Sequence, residues 1–191
     1  MKVFVSATGR AVGCKHMLRV GLLWLLTGVA AAQSATPTGM AEQRAKAVTQ
    51  VVLGILSYAR WPVEPAQLRL CIVGPTEYTD DLVKGSTLAT GRPVAVRRLL
   101  ADNPAIVSEC DAVYIGKLTA DERSRLFASL IGHPILSISE SDDPCTVGSL
   151  FCLRVGDDQV SFEVNLDSVA RSGVRIHPSV LQLSRRKAAA P

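Results

Sequence analysis

Cysteines are the residues of this 191-residue chain whose type and spacing admit the most chemistry. Cys145 and Cys152 flank Gly148 in "DDPCTVGSLFC", and Cys71 and Cys110 each sit in an apolar run, "LRLCIVG" and "CDAVYIG". Such cysteines can ligate a metal, act as nucleophiles, sense redox state or cross-link the fold. Zinc is disfavoured, because no CxxC spacing and no nearby histidine pair accompany them. The choice among the rest depends on the compartment.

The N-terminal residues speak to that. Lys2, Arg10, Lys15 and Arg19 make a basic leader without an acid. The apolar run "VGLLWLLTGVA" and the small residues "AAAQS" follow, with Ala30 and Ala32 placed as an A-x-A cleavage signal. That order predicts a secretory signal peptide over residues 1–32. The run is too short for a membrane span, which needs about 20 apolar residues. Cys14 precedes the run and leaves with the leader. Taking the four leader charges from the 21 Lys and Arg leaves 17, equal to the 17 Asp and Glu. A neutral chain of about 159 residues is one ordinary domain without the electrostatic footprint of a nucleic-acid binder. The basic cluster Arg185-Arg186-Lys187 reads as a solvated tail.

Four cysteines in an exported chain read as two disulfides, which also argues against a catalytic thiol. Three pairings are possible. Pro144, Gly148 and Ser149 supply a turn between Cys145 and Cys152, which favours that pair and leaves Cys71 with Cys110 on neighbouring strands. On chain entropy alone the short loop contributes about 2.5 kcal/mol and the long one about 4 kcal/mol.

Other chemistry is thin. The chain holds no GxSxG, Walker loop, GxGxxG or HExxH, and an enzyme is not expected. His133 and His177 each precede a proline and read as loop residues. "GPTEYTDD" follows a strand, so it suits an anion at a helix start, although Asp80 and Asp81 argue against phosphate. The acid pairs at 142–143 and 157–158 suit turns. Arg60 ends an apolar helix before Trp61-Pro62, Glu163 interrupts "VSFEVNL", and His177 sits in "VRIHPSV". With Trp61 and Phe151 they are the candidate binding residues. They would form a hydrophobic recess with a polar rim, suited to a partner's apolar side chain or a small aromatic ligand. No cofactor or metal is implied.

The elements that must position these residues follow from periodicity. From Ala41, the stripe Ala45, Val48, Val52, Ile55, Ala59 predicts a helix that Pro62 stops. Strands are predicted at 67–73, 92–100, 110–116 and 133–139, and a hairpin over 149–166 turns at "GDD". Helices are predicted at 76–85 with Thr76 as cap, at 119–132, and in "NLDSVARSG" and "PSVLQLSRR". Interleaved strands and helices imply an α/β fold: a three-layer single domain with a mixed, mostly parallel sheet of about six strands flanked by helices. Residues 33–39 read as a disordered start, 40–186 as the domain and 187–191 as a tail. The stripe on the first helix is apolar enough to be shared in a homodimer, or to serve the chain's own core.

Six segments in order, "YARWP", "LRLCIVG", "CDAVYIG", "PILSISE", "FEVNL" and "SGVRIHPSVLQL", resemble the YfiR family of periplasmic proteins over about residues 41–186. The resemblance implies a repressor, not an enzyme. It would bind the periplasmic domain of a YfiN-like inner-membrane diguanylate cyclase and hold it inactive. A YfiB-like, OmpA-family outer-membrane lipoprotein would relieve it, raising cyclic di-GMP and favouring biofilm. It also implies that the four cysteines form two disulfides whose reduction relieves repression. At "CTVGSLFC" the chain departs from the glycine pair that many members carry, which marks the second disulfide as a subgroup feature.

Overall fold

The apolar stripe of the first helix is spent inside the chain. In a computed structural model that describes residues 37–140, 145, 148–157 and 159–185, helix α1 (Pro37–Tyr58) buries Val48, Val52 and Ile55 completely. Each such side chain contributes about 1.5–3 kcal/mol. This is the core use of the stripe, not its use in a dimer. The helix starts earlier than expected, so residues 37–39, expected to be disordered, are helical. It also stops earlier: Ala59–Arg60 is a short strand, β1. The expected leader, the start of the disordered segment and the tail lie outside the described residues.

After β1 come β2 (Leu68–Val73), a 3-10 turn (Leu82–Lys84), β3 (Ser86–Thr87) and β4 (Pro93–Leu99). Helix α2 (Ile106–Glu109), β5 (Ala112–Ile115), α3 (Ala120–Leu130) and β6 (Leu136–Ser139) follow. The hairpin β7 (Phe151–Val155) and β8 (Val160–Val164), α4 (Leu166–Ser172), β9 (Arg175–Ile176) and a 3-10 segment (Pro178–Arg185) complete the order. The main sheet has seven strands in the order β3-β4-β2-β5-β6-β7-β8. Pairings are parallel from β4 through β7 and antiparallel at both ends. The six long strands match the expected number, and two-residue β3 is an added edge. A second, two-stranded sheet pairs β1 with β9.

Strand alternation divides the core in two. Leu68, Leu70, Ile72, Tyr114 and Ile138 face α1 and the C-terminal 3-10 segment. Cys71, Val73, Val113 and Ile115 face α2 and α3. These are the three layers that β-strand period two and covering helices impose. Helix α3 starts as its sequence predicts. Thr119 Oγ1 accepts from the Glu122 amide at 3.3 Å while Glu122 Oε2 accepts from the Thr119 amide at 2.9 Å, a capping box.

Two predicted helices are corrected. Residues 76–85 form bends and the 3-10 turn rather than an α-helix. Thr76 does not cap it, because its hydroxyl engages Thr79 Oγ1 at 2.6 Å and Arg98 at 3.2 Å. The amides of Glu77 and Tyr78, which a helix start would leave free, are taken by Glu140. The stretch 178–185 is 3-10, with the His177 ring accepting from the Ser179 amide at its start. In the first place tertiary hydrogen bonds outweigh a weak local propensity; in the second a local side-chain bond opens the 3-10 segment.

Candidate functional site

The site forms where the chain leaves α1 and returns as β9. An α-helix ends with unsatisfied carbonyls, and Arg60 folds back to supply donors. Its Nη1 donates to the Ser57 carbonyl at 2.9 Å and the Ala59 carbonyl at 2.7 Å. The β1–β9 register sets Ala59 opposite Ile176 and Arg60 opposite Arg175. His177 follows at once. Its amide donates to the Tyr58 carbonyl at 3.0 Å, and its ring stacks on Tyr58 with centroids 6.1 Å apart.

Both arginines are exposed. Among the described residues no carboxylate lies within ion-pair distance of Arg60, Arg175 or Arg171, the last basic residue of α4. By contrast Arg44, Arg69, Arg92, Arg97 and Arg154 each have one. Like charges directly opposite on antiparallel strands repel. Among the described residues the pair is therefore a cationic face without a carboxylate partner, beside two stacked rings.

Trp61 anchors this face from beneath. It is 4 % exposed, and its Nε1 donates to the Asp111 carbonyl at 2.9 Å. The Asp111 carboxylate in turn accepts from the Arg69 amide at 2.8 Å and from the Arg69 guanidinium through both oxygens. Arg69 is held in its charged form chiefly by that hydrogen bond. Asp111 follows Cys110, so the anchor of the face adjoins a disulfide.

The structure brings only part of the expected recess together. Arg60 and His177 meet, and Arg175 joins them, a residue that sequence reasoning passed over. Its signal was the similar spacing of "ARWP" and "RIHP", two short arginine-bearing stretches closed by proline. Three expectations are corrected. Trp61, expected to bind a partner or ligand, is a buried support. Phe151 is fully buried in β7, packed edge-on against Phe162 with centroids 5.5 Å apart. Both are apolar residues of the α1 side of the core, unavailable to a partner in this conformation. Glu163 points to the opposite side of β8 from Phe162 and pairs with Arg154 Nε at 3.0 Å, away from Arg60 and His177.

Both disulfides form as paired above. Cys71 on β2 bonds Cys110, at the end of α2, with Cα atoms 5.8 Å apart. Cys145 bonds Cys152 on β7 with Cα atoms 5.6 Å apart. Gly148 between them has φ +84°, and a Cβ there would run into the Phe127 ring of α3. Only glycine suits both the turn and that close approach.

Fold and site together define a class: a small, disulfide-bonded, doubly wound α/β domain with an exposed cationic face. The chain belongs to the YfiR/HmsC-like family, whose model matches residues 45–185. Members of that family are periplasmic, non-catalytic regulators in cyclic di-GMP signalling, and two disulfides are consistent with an oxidising compartment.

Proposed function

We propose that this chain is exported, loses residues 1–32 as a signal peptide, and represses an inner-membrane diguanylate cyclase by binding its periplasmic domain. A YfiB-like, OmpA-family lipoprotein competes for it and restores cyclic di-GMP synthesis; reduction of the disulfides does the same. The observation that carries this reading is the opposition of Arg60 and Arg175 beside His177. A protein that leaves two cations facing each other gives up stability, and an acidic partner surface would recover it. The Arg154–Glu163 patch on the other side of β8 is a second, separate contact in this proposal. A homodimer remains part of it, through surfaces other than the buried stripe of α1.

A second reading rests on the Tyr58–His177 stack next to those arginines: the same face takes a small aromatic ligand carrying a carboxylate or phosphate. One experiment separates the two. The processed, oxidised chain and its Arg60→Glu variant are titrated against the purified periplasmic domain of a membrane diguanylate cyclase. Saturable binding by the wild-type chain, weakened at least tenfold by an Arg60→Glu variant that remains folded, supports repression. No binding, with a small molecule co-purifying by mass spectrometry, supports the second reading.

A further inference from the structure

Trp61 ties the Arg60 face to Asp111, at the amino end of β5. The carboxyl ends of the same parallel strands carry a separate cleft. There β2 leads out to β4 on one side, while the next strand, β5, lies on its other side. Open α/β sheets bind ligands outside the carboxyl ends of their strands at such a switch point. A cavity of about 500 Å³ opens here between Pro75 after β2, Leu100 and Ala101 after β4, and Leu118 with the first turn of α3 after β5. An adjoining recess of about 230 Å³ shares Leu100, Ala101 and Glu122 and adds Asp102 and Arg125. Small-molecule pockets have volumes of this order, about 300–1,000 Å³.

The walls are held in place. The Lys117 amide donates to the Pro75 carbonyl at 2.7 Å, and the Gly116 amide donates to the Val73 carbonyl at 2.9 Å. A Cβ on Gly116 would meet that Pro75 oxygen at 1.9 Å, so only glycine lets the two loops close on each other. Ala101 and Leu118 pack on the core behind, and Leu100 is 74 % exposed. The charges around the cleft divide into committed and uncommitted. Glu122 Oε2 accepts from the Thr119 amide at 2.9 Å and its hydroxyl at 2.7 Å, and Lys117 Nζ pairs with Glu77 at 3.2 Å. Among the described residues, Asp102 and Arg125 have neither an ion pair nor a side-chain hydrogen bond, although the Arg125 charge acts on Glu122 through space.

One acid and one base thus line the same recess without meeting each other. A ligand with a single charge is drawn to one and repelled by the other, whereas a ligand with both charges serves both. No aromatic side chain lines either part of the cleft, so it offers no ring stacking. Pro75, Leu100, Ala101 and Leu118 offer aliphatic surface instead. We propose that this cleft binds a small aliphatic amino acid, with its carboxylate on Arg125, its ammonium on Asp102 and its side chain against Leu100 and Leu118. A guanidinium presents the planar fork that a carboxylate matches. Burial of each methylene of the side chain adds to affinity. The site and its ligand are separate from the Arg60 face and do not depend on what that face binds.

Calorimetric titration of the oxidised chain with leucine tests this, beside two relatives of leucine that each lack one charge. Isocaproate has no ammonium, and isoamylamine has no carboxylate. Leucine should saturate the chain at millimolar concentration or below, and each relative should bind about tenfold or more weakly. Arg125→Gln should weaken leucine binding by a similar factor and should not weaken isoamylamine. Asp102→Asn should weaken leucine and should not weaken isocaproate. Leu100→Ser, at an exposed position, should weaken leucine without lowering the melting temperature. A merely structural role for these residues would not sort the ligands by charge. Absence of saturable leucine binding overturns the proposal. So does leucine binding that all three variants keep at wild-type strength, or either relative binding as tightly as leucine.

Discussion

Trp61 Nε1 donates to the Asp111 carbonyl across 50 residues of sequence, at 2.9 Å and inside the core. The same carbonyl accepts from the Leu136 amide at 3.1 Å. One atom therefore joins β6 and the amino end of β5 to the segment that carries Arg60.

Replacing Trp61 by phenylalanine removes the donor but leaves the Asp111 carbonyl satisfied by Leu136. The expected loss is about 1–3 kcal/mol, the hydrogen bond plus a small cavity. Trp61→Ala should cost about 3–5 kcal/mol. Urea unfolding measures both, and equal midpoints for wild type and Trp61→Phe would deny the bond any net value.

Arg175→Thr should separate binding from stability. It removes one of two opposed cations at an exposed position, so unfolding free energy should stay level or rise by about 0.2–1 kcal/mol. Affinity for the cyclase domain should fall. A variant that binds as tightly as wild type would remove Arg175 from the site.

The two disulfides should differ in weight. Cys71–Cys110 closes the longer loop and ties β2 to the end of α2, with both cysteines buried. On chain entropy Cys71→Ser should cost about 1.5 kcal/mol more than Cys145→Ser. Melting temperatures of the two variants compare them, and equal or reversed losses would contradict the ranking.

Thr119→Ala should cost about 1 kcal/mol by opening the capping box of α3, read by urea unfolding. The Thr119 amide and hydroxyl hold the Glu122 carboxyl below its usual range. A depressed folded pKa means that this interaction is present at neutral pH and fades as pH falls through it. The Thr119→Ala deficit should therefore shrink in acid.

Local chemistry made much of this protein legible in its residues. The stripe of α1, the Thr119 cap of α3, the apolar runs of β2, β5 and β6, and the hairpin at Gly156 are each set by neighbours within a few positions, where period and capping act. So was the cysteine arithmetic, because a turn brings Cys145 to Cys152 whatever surrounds it. Residues 76–85 were misread because their fate rests on Glu140 and Arg98, far along the chain. Likewise Trp61, Phe151 and Glu163 looked alike as candidates. Only the packed sheet, by alternation and burial, sent two into the core and the third to another face. The opposition of Arg60 and Arg175 was also hidden, since strand register between segments more than 100 residues apart is fixed by the whole core between them.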